Sequence, residues 1–242
     1  MKFFAIVILF FFSWSVQGQF ELRKSTAIHS ATFITAAGVT YVLGGIPNQH
    51  QVFSIDPDWG ESRRLYNDNW HKASYGILLT QGLMVGVLAF TQLEDRNDWI
   101  TGAAMAAHSA SVTYLVTQSV KAFIPRYRPY VGSTDITVQP DDLRSFWSGT
   151  SAISMTIAGF GVAMSNYYLK DSSYKILVQA SLVTLGGMAM TSRVLAGKHH
   201  VSDVLVGGMV GFASGYFIPR LYRVKDDSKL SFTGTGLRWT LN

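Results

Sequence analysis

Ser192-Arg193-Val194-Leu195-Ala196-Gly197-Lys198-His199-His200-Val201-Ser202-Asp203 lies between two apolar runs and carries most of the chemistry that can be read from the chain. Read as a helix starting near His199, it puts positions 199 and 203 on one face. Asp203 then holds one imidazole nitrogen and leaves the other bare, which turns an ordinary histidine into a nucleophile or base. Arg193 adds a planar fork suited to a phosphate or similar oxyanion. The same residues also suit a plain helix start with an interfacial arginine, so the pattern needs partners elsewhere in the chain.

On both sides of this stretch the hydrophobic segments are regular. Residues 74–93, 99–120, 148–169, 176–191 and 204–218 are uncharged, or nearly so, and short polar turns separate most of them. Each is close to, or a little under, the ~20 residues a helix needs to cross a bilayer. Trp99, Tyr167, Tyr168, Tyr216 and Phe217 stand at segment ends, as aromatics do at membrane interfaces. Glycines such as Gly159, Gly161, Gly207, Gly208 and Gly211 suit close helix packing in lipid. Residues 26–45 form a looser apolar stretch, compatible with a span or with a helix lying along the domain, and 48–72 read as an external loop or a short surface helix. The first 18 residues have Lys2, an apolar run and small residues before Gln19, the form of a secretory signal; an uncleaved first span is the alternative.

Composition agrees. Apolar residues make up 48% of the 242 and charged ones only 14%, well under the usual share for a soluble domain. The absence of cysteine excludes disulfides, thiolate metal sites and a cysteine nucleophile. The net charge of +5 comes without the long basic runs of a nucleic-acid arm, so a membrane and not nucleic acid is the expected partner.

Two more pieces accompany the first. Lys121 is followed after six residues by Arg128-Pro129, so that two cations flank a proline-braced turn. Ser145-Phe146-Trp147-Ser148-Gly149-Thr150 opens the next apolar segment, and its Ser148-Gly149 pair offers free N–H groups and a hydroxyl to an anion, or a simple helix cap. Taken in order, the three pieces resemble the type-2 phosphatidic acid phosphatase and vanadium haloperoxidase superfamily. Its pattern is Lys-x6-Arg-Pro, then Pro-Ser-Gly-His, then Ser-Arg-x5-His-x3-Asp. The first and third are complete here, and the likeness covers roughly residues 74–217.

The resemblance implies an all-α, membrane-embedded bundle of about five to six helices. In it Lys121, Arg128 and Arg193 clamp the phosphoryl oxygens, and Ser148 with the Gly149 backbone completes the cradle. His199 attacks phosphorus, oriented by Asp203, and water releases phosphate from the phosphohistidine. No metal ion or other cofactor is implied. The implied substrate is an anionic lipid phosphate or diphosphate, such as phosphatidic acid, phosphatidylglycerol phosphate, undecaprenyl diphosphate or the phosphates of lipid A. The middle piece departs from the pattern: Thr150 stands where the family has its general-acid histidine. Threonine cannot donate a proton near neutral pH, and loss of such an acid typically costs ~10² to 10⁴ in rate. Neither His200 nor His108 is expected to replace it. Trp147, where the family has proline, is placed to loosen the turn or to cover an apolar part of the substrate.

The expected organisation is therefore a signal or first span over 1–18, an N-terminal helix and loop over 19–73, the bundle over 74–222 and a polar tail over 223–242 with one short strand or hairpin. An up-and-down bundle puts the three pieces on one side. The expected setting is a bacterial-type inner membrane, crossed several times, with the site facing the periplasm and Arg220, Arg223 and Lys225 inside. Two alternatives are a weakened relative that binds phosphate headgroups without efficient turnover and a soluble periplasmic acid phosphatase.

Overall fold

The computed structural model describes residues 22–43, 65–93, 96–131, 139–170, 172–223, 230–233 and 236–239. The signal-like segment 1–18 and most of the 48–72 stretch lie outside the described residues. The apolar runs become helices: α1 (Lys24–Val42), α2 (Asp68–Gln92), α3 (Arg96–Phe123), α4 (Gly149–Tyr168), α5 (Lys175–Leu195) and α6 (Val201–Phe217). A short 3-10 helix, Pro140–Leu143, precedes α4, and another, Ile218–Tyr222, prolongs α6. The tail holds an antiparallel hairpin in which Leu230 faces Trp239 and Thr233 faces Gly236. The architecture is otherwise a helical bundle.

Short connections make α2 and α3, α4 and α5, and α5 and α6 antiparallel neighbours, while the longer segment 124–148 leads from α3 back into α4 at the same end. The N-termini of α2, α4 and α6 and the C-termini of α3 and α5 therefore meet at one end, with the positive ends of three helix dipoles. Main-chain hydrogen bonds fasten this end together. Arg126 N–H donates to Leu143 O (2.8 Å), Ser145 N–H to Arg126 O (3.0 Å) and Arg128 N–H to Asp142 O (2.9 Å), so the segment after α3 lies beside the segment before α4. Ser148 N–H then donates to Asp203 O (3.1 Å), which ties the start of α4 to the first turn of α6.

Helices α4 and α6 make the closest packing in the bundle, backbone against backbone, because Gly207, Gly211 and Gly215 recur every four residues along α6. A Cβ at Gly207 would lie 2.7 Å from Ser148 O, and one at Gly211 would overlap Ala152 O. Replacing Gly211 with alanine should force the helices apart and lower stability by about 1–3 kcal/mol. A thermal melt followed by helical circular dichroism would show it, whereas Gly187→Ala, with open space around it, should have little effect.

Polar side chains also bridge helices inside the bundle. Gln81 of α2 donates through Nε2 to Leu182 O (3.0 Å) and accepts from Ser154 Oγ, and Thr113 pairs with Thr156 at 2.9 Å. At the end away from the three dipoles, Leu88, Met105, Phe160 and Met164 form an apolar core around Tyr222.

The outer surface of α2 is apolar and exposed along one stripe: Leu79, Leu83, Val87 and Phe90. On α6, Leu205 and Met209 do the same. Two helices, Asp68–Gln92 and Val201–Tyr222, are long and apolar enough to cross a membrane. At 1.5 Å per residue the first is roughly 37 Å long. The sequence expectation of five regular spans thus holds for five helices, but only two of them meet the length and hydropathy of a span. Buried interior positions of α3 and α4 are filled largely by Ser, Thr, Ala and Gly, which dilutes their hydropathy.

Candidate functional site

The bundle end where the three helix N-termini meet holds a pocket of about 720 Å³. Lys121, Arg128, Arg193, His199, Gly149 and Thr150 all line it, although the first and last are 78 residues apart in sequence (121 to 199). Lys121 enters from the last turn of α3, Arg128 from the segment after it and Arg193 from the last turn of α5. Gly149 and Thr150 are the first two residues of α4, where backbone N–H groups lack intrahelical partners.

Ser148 sits just behind the wall. It is fully buried and caps α4, its Oγ accepting from the N–H (3.3 Å) and the hydroxyl (2.8 Å) of Ser151. Trp147 is also buried, and its indole N–H donates to Thr117 Oγ1 of α3 at 2.8 Å. It anchors the turn and does not cover the pocket, contrary to expectation, because Gly207 leaves room for the ring beside α6.

His199 is not on a helix. Gly197 takes the left-handed conformation (φ 70°) after α5, with Gly197 N–H donating to Val194 O (3.0 Å) and Lys198 N–H to Arg193 O (3.2 Å). This is a Schellman ending, which glycine permits at no steric cost. The chain turns, His199 follows, and α6 begins only at Val201. The consequence corrects the reading of one shared helical face. His199 Nδ1 donates to Ser145 O at 2.8 Å, while Asp203 Oδ2 stands 3.7 Å from the same nitrogen. The main-chain carbonyl of Ser145 fixes the tautomer, and Asp203 contributes negative charge from slightly further away.

Asp203 is fully buried and heavily engaged. Its Oδ2 accepts from Ser145 Oγ (2.6 Å) and from His200 N–H (2.9 Å), and its Oδ1 is paired with Arg126 Nη1. Arg126 also donates to Ser202 Oγ at 2.7 Å. Sequence reasoning misses Arg126, which belongs to none of the quoted motif positions; the only signal is a third cation inside a nine-residue turn of a chain poor in charge. Arg144, Tyr75, Gln118 and Asp141 are further pocket residues that no motif announces.

With Arg144, four cations face a single carboxylate in the lining. That carboxylate is Asp141, 69% exposed, whose Oδ2 accepts from Arg128 Nη2 at 2.7 Å. It occupies the arginine an incoming anion would use. Asp141→Asn should lower KM for an anionic substrate by roughly two- to fivefold, the worth of an exposed ion pair, with kcat nearly constant; steady-state kinetics checks it. Burial, reinforced by the cations Lys121, Arg128 and Arg193, holds the His199 imidazolium well below the ordinary histidine range, although Asp203 pulls the other way. Burial and the charges of Arg128 and Arg193 likewise lower Lys198.

His108 and His200 stand apart from this lining. His108 hydrogen-bonds Tyr222 OH at 3.0 Å, deep between α1 and α3, and His200 Nε2 donates to Tyr127 O at 3.1 Å. Among the described residues, no three His, Asp or Glu side chains come together as a metal site requires.

A buried histidine with one nitrogen tied down thus lines a cationic pocket closed by a helix N-terminus, an arrangement suited to an oxyanion. The model of the PAP2 superfamily matches residues 99–227, more than half of the chain, and the chain belongs to that family. It is also similar to a PA-phosphatase related-family protein of Dictyostelium discoideum, 29% identical over 154 residues, which are 59% of this chain and 57% of that protein. The chain thus spans little more than half the length of that relative. No solved structure matches it. Family membership points to phosphatase-type chemistry on a phosphate ester, and the two candidate spans are compatible with a membrane protein.

Proposed function

We propose that this chain is a phosphomonoesterase or diphosphatase acting on a lipid phosphate at the outer face of a membrane, through a phosphohistidine. One observation carries the reading: His199 donates its Nδ1 proton to Ser145 O and so offers an Nε2 lone pair to a pocket walled by Lys121, Arg128 and Arg193. Those cations and the Gly149 and Thr150 N–H groups hold the phosphoryl oxygens and neutralise charge as it spreads in the transition state. His199 Nε2 forms a bond to phosphorus as the bond to the lipid oxygen breaks. Water then attacks the phosphorus and frees the imidazole. Asp203 offsets the positive charge that the ring acquires. The exposed apolar stripes of α2 and α6 favour a lipid substrate delivered from the bilayer and disfavour a soluble enzyme.

The test is phosphate release by detergent-purified protein from phosphatidic acid and from a prenyl diphosphate, with alkaline quenching to trap alkali-stable, acid-labile phosphate on the protein. Release together with such a trapped species supports the reading. Binding of the lipid phosphate without release, with release gained on Thr150→His, would establish instead a headgroup-binding relative, the reading that Thr150 favours.

A further inference from the structure

Where the family pattern has its general-acid histidine, this chain has Thr150, and neither His108 nor His200 lines the pocket. A different histidine stands beside the pocket wall. His71 lies in the first turn of α2, outside all three motif pieces, and its Nδ1 is 2.5 Å from Nη1 of Arg193, itself a wall of the pocket that His199 enters. The same guanidinium nitrogen donates to Ser74 Oγ at 3.2 Å, so that α2 is held to α5 at the level of the site. One helical turn beyond His71 is Tyr75, a pocket residue, whose ring meets the imidazole edge-on at 5.2 Å. Tyr66 approaches the imidazole at 6.0 Å. His71 is half-buried, so it can exchange protons with water.

We propose that His71 is the general acid of this enzyme, doing from α2 what the residue at position 150 cannot do from α4. The assignment rests on the phosphatase reading above. Arg193 donates to His71 Nδ1, so this nitrogen is an acceptor and the imidazole is neutral. A phosphate dianion bound to Arg193 supplies negative charge next to the ring and draws that donor to itself. Both changes favour the imidazolium. As the His199 Nε2–phosphorus bond forms and the phosphorus–oxygen bond to the lipid breaks, His71 passes its proton to the departing oxygen, which leaves as an alcohol. Neutral His71 then takes a proton from the water that attacks the phosphohistidine. The imidazolium is restored and no external acid is consumed.

Leaving-group dependence separates this role from a structural one. His71→Asn keeps an acceptor for Arg193 but cannot carry the proton. Its kcat/KM on short-chain phosphatidic acid, which reads only the step in which the alkoxide, a poor leaving group, departs, should fall ~10² to 10⁴-fold. On p-nitrophenyl phosphate, whose phenolate leaves unaided, the loss should be at least about tenfold smaller. The basic limb of the wild-type kcat profile should disappear in the variant, and Thr150→His added to His71→Asn should restore activity on phosphatidic acid. An equal loss on both substrates, or none on either, would overturn the assignment, and His71→Gln provides the same contrast if the asparagine variant folds poorly. Wild-type protein inactive on both substrates would instead remove the phosphatase reading, and activity surviving in His199→Ala would remove the phosphohistidine step, and the acid with either.

Discussion

His199→Ala should abolish phosphate release, with a loss of at least about 10⁴-fold in kcat, because under the proposed mechanism the nucleophile would have no substitute in the pocket. Binding should survive, since Lys121, Arg128, Arg193 and the α4 N-terminus remain in place. A fluorescent lipid phosphate should therefore still titrate the variant with a similar Kd, which separates loss of chemistry from loss of fold. The pH dependence of the wild type follows from the same residue. Only neutral imidazole attacks, and burial beside three cations favours the neutral form, placing the folded pKa below that of free histidine. The acid limb of kcat/KM, which reports the free enzyme, should lie clearly below pH ~6.5, the ordinary value. Activity persists at pH values where an exposed histidine would already be charged, and disappears as pH falls through the lowered value.

The largest effect on stability should come from Arg126. Its side chain and that of Asp203 are 1% and 0% exposed and ion-paired, so Arg126→Met leaves a carboxylate buried without its cation. Breaking a buried pair from one side costs about 3–5 kcal/mol, which for a chain of this size lowers Tm by roughly 6–20 °C. The double variant Arg126→Met, Asp203→Asn removes both charges and should recover much of that loss. It should not recover full activity, because the negative charge near His199 is gone. Equal melting temperatures for wild type and Arg126→Met would show the pair to be of little consequence.

The helices were legible because their apolar runs are long and broken by polar turns, and the three motif pieces stood out because cations are scarce in such a chain. What escaped notice depended on distance or on a turn. Arg126 meets its carboxylate 77 positions away, a contact no local pattern encodes. His71 lies on a helix that carries none of the three motif pieces. The contact expected between His199 and Asp203 assumed one continuous helix, and Gly197 breaks it; a glycine after an apolar run and before a polar residue is itself a stop signal and could have placed His199 in a turn. Trp147, expected to loosen the turn or cover an apolar part of the substrate, is buried instead, and the space that receives it comes from Gly207, sixty residues later.

The main-chain bonds that join Arg126 to Leu143 and Ser145, Arg128 to Asp142 and Ser148 to Asp203 divide the site into two kinds of surface. The ties beneath it are peptide groups, so point substitutions there other than to proline, which lacks the N–H, change packing but do not delete them. At the rim stand Tyr75, Gln118, Asp141 and Arg144, which lie outside the three motif pieces. Under the proposed function, drift in headgroup preference would therefore have a place to occur without disturbing the geometry of phosphoryl transfer: a permanent cradle beneath an exchangeable collar.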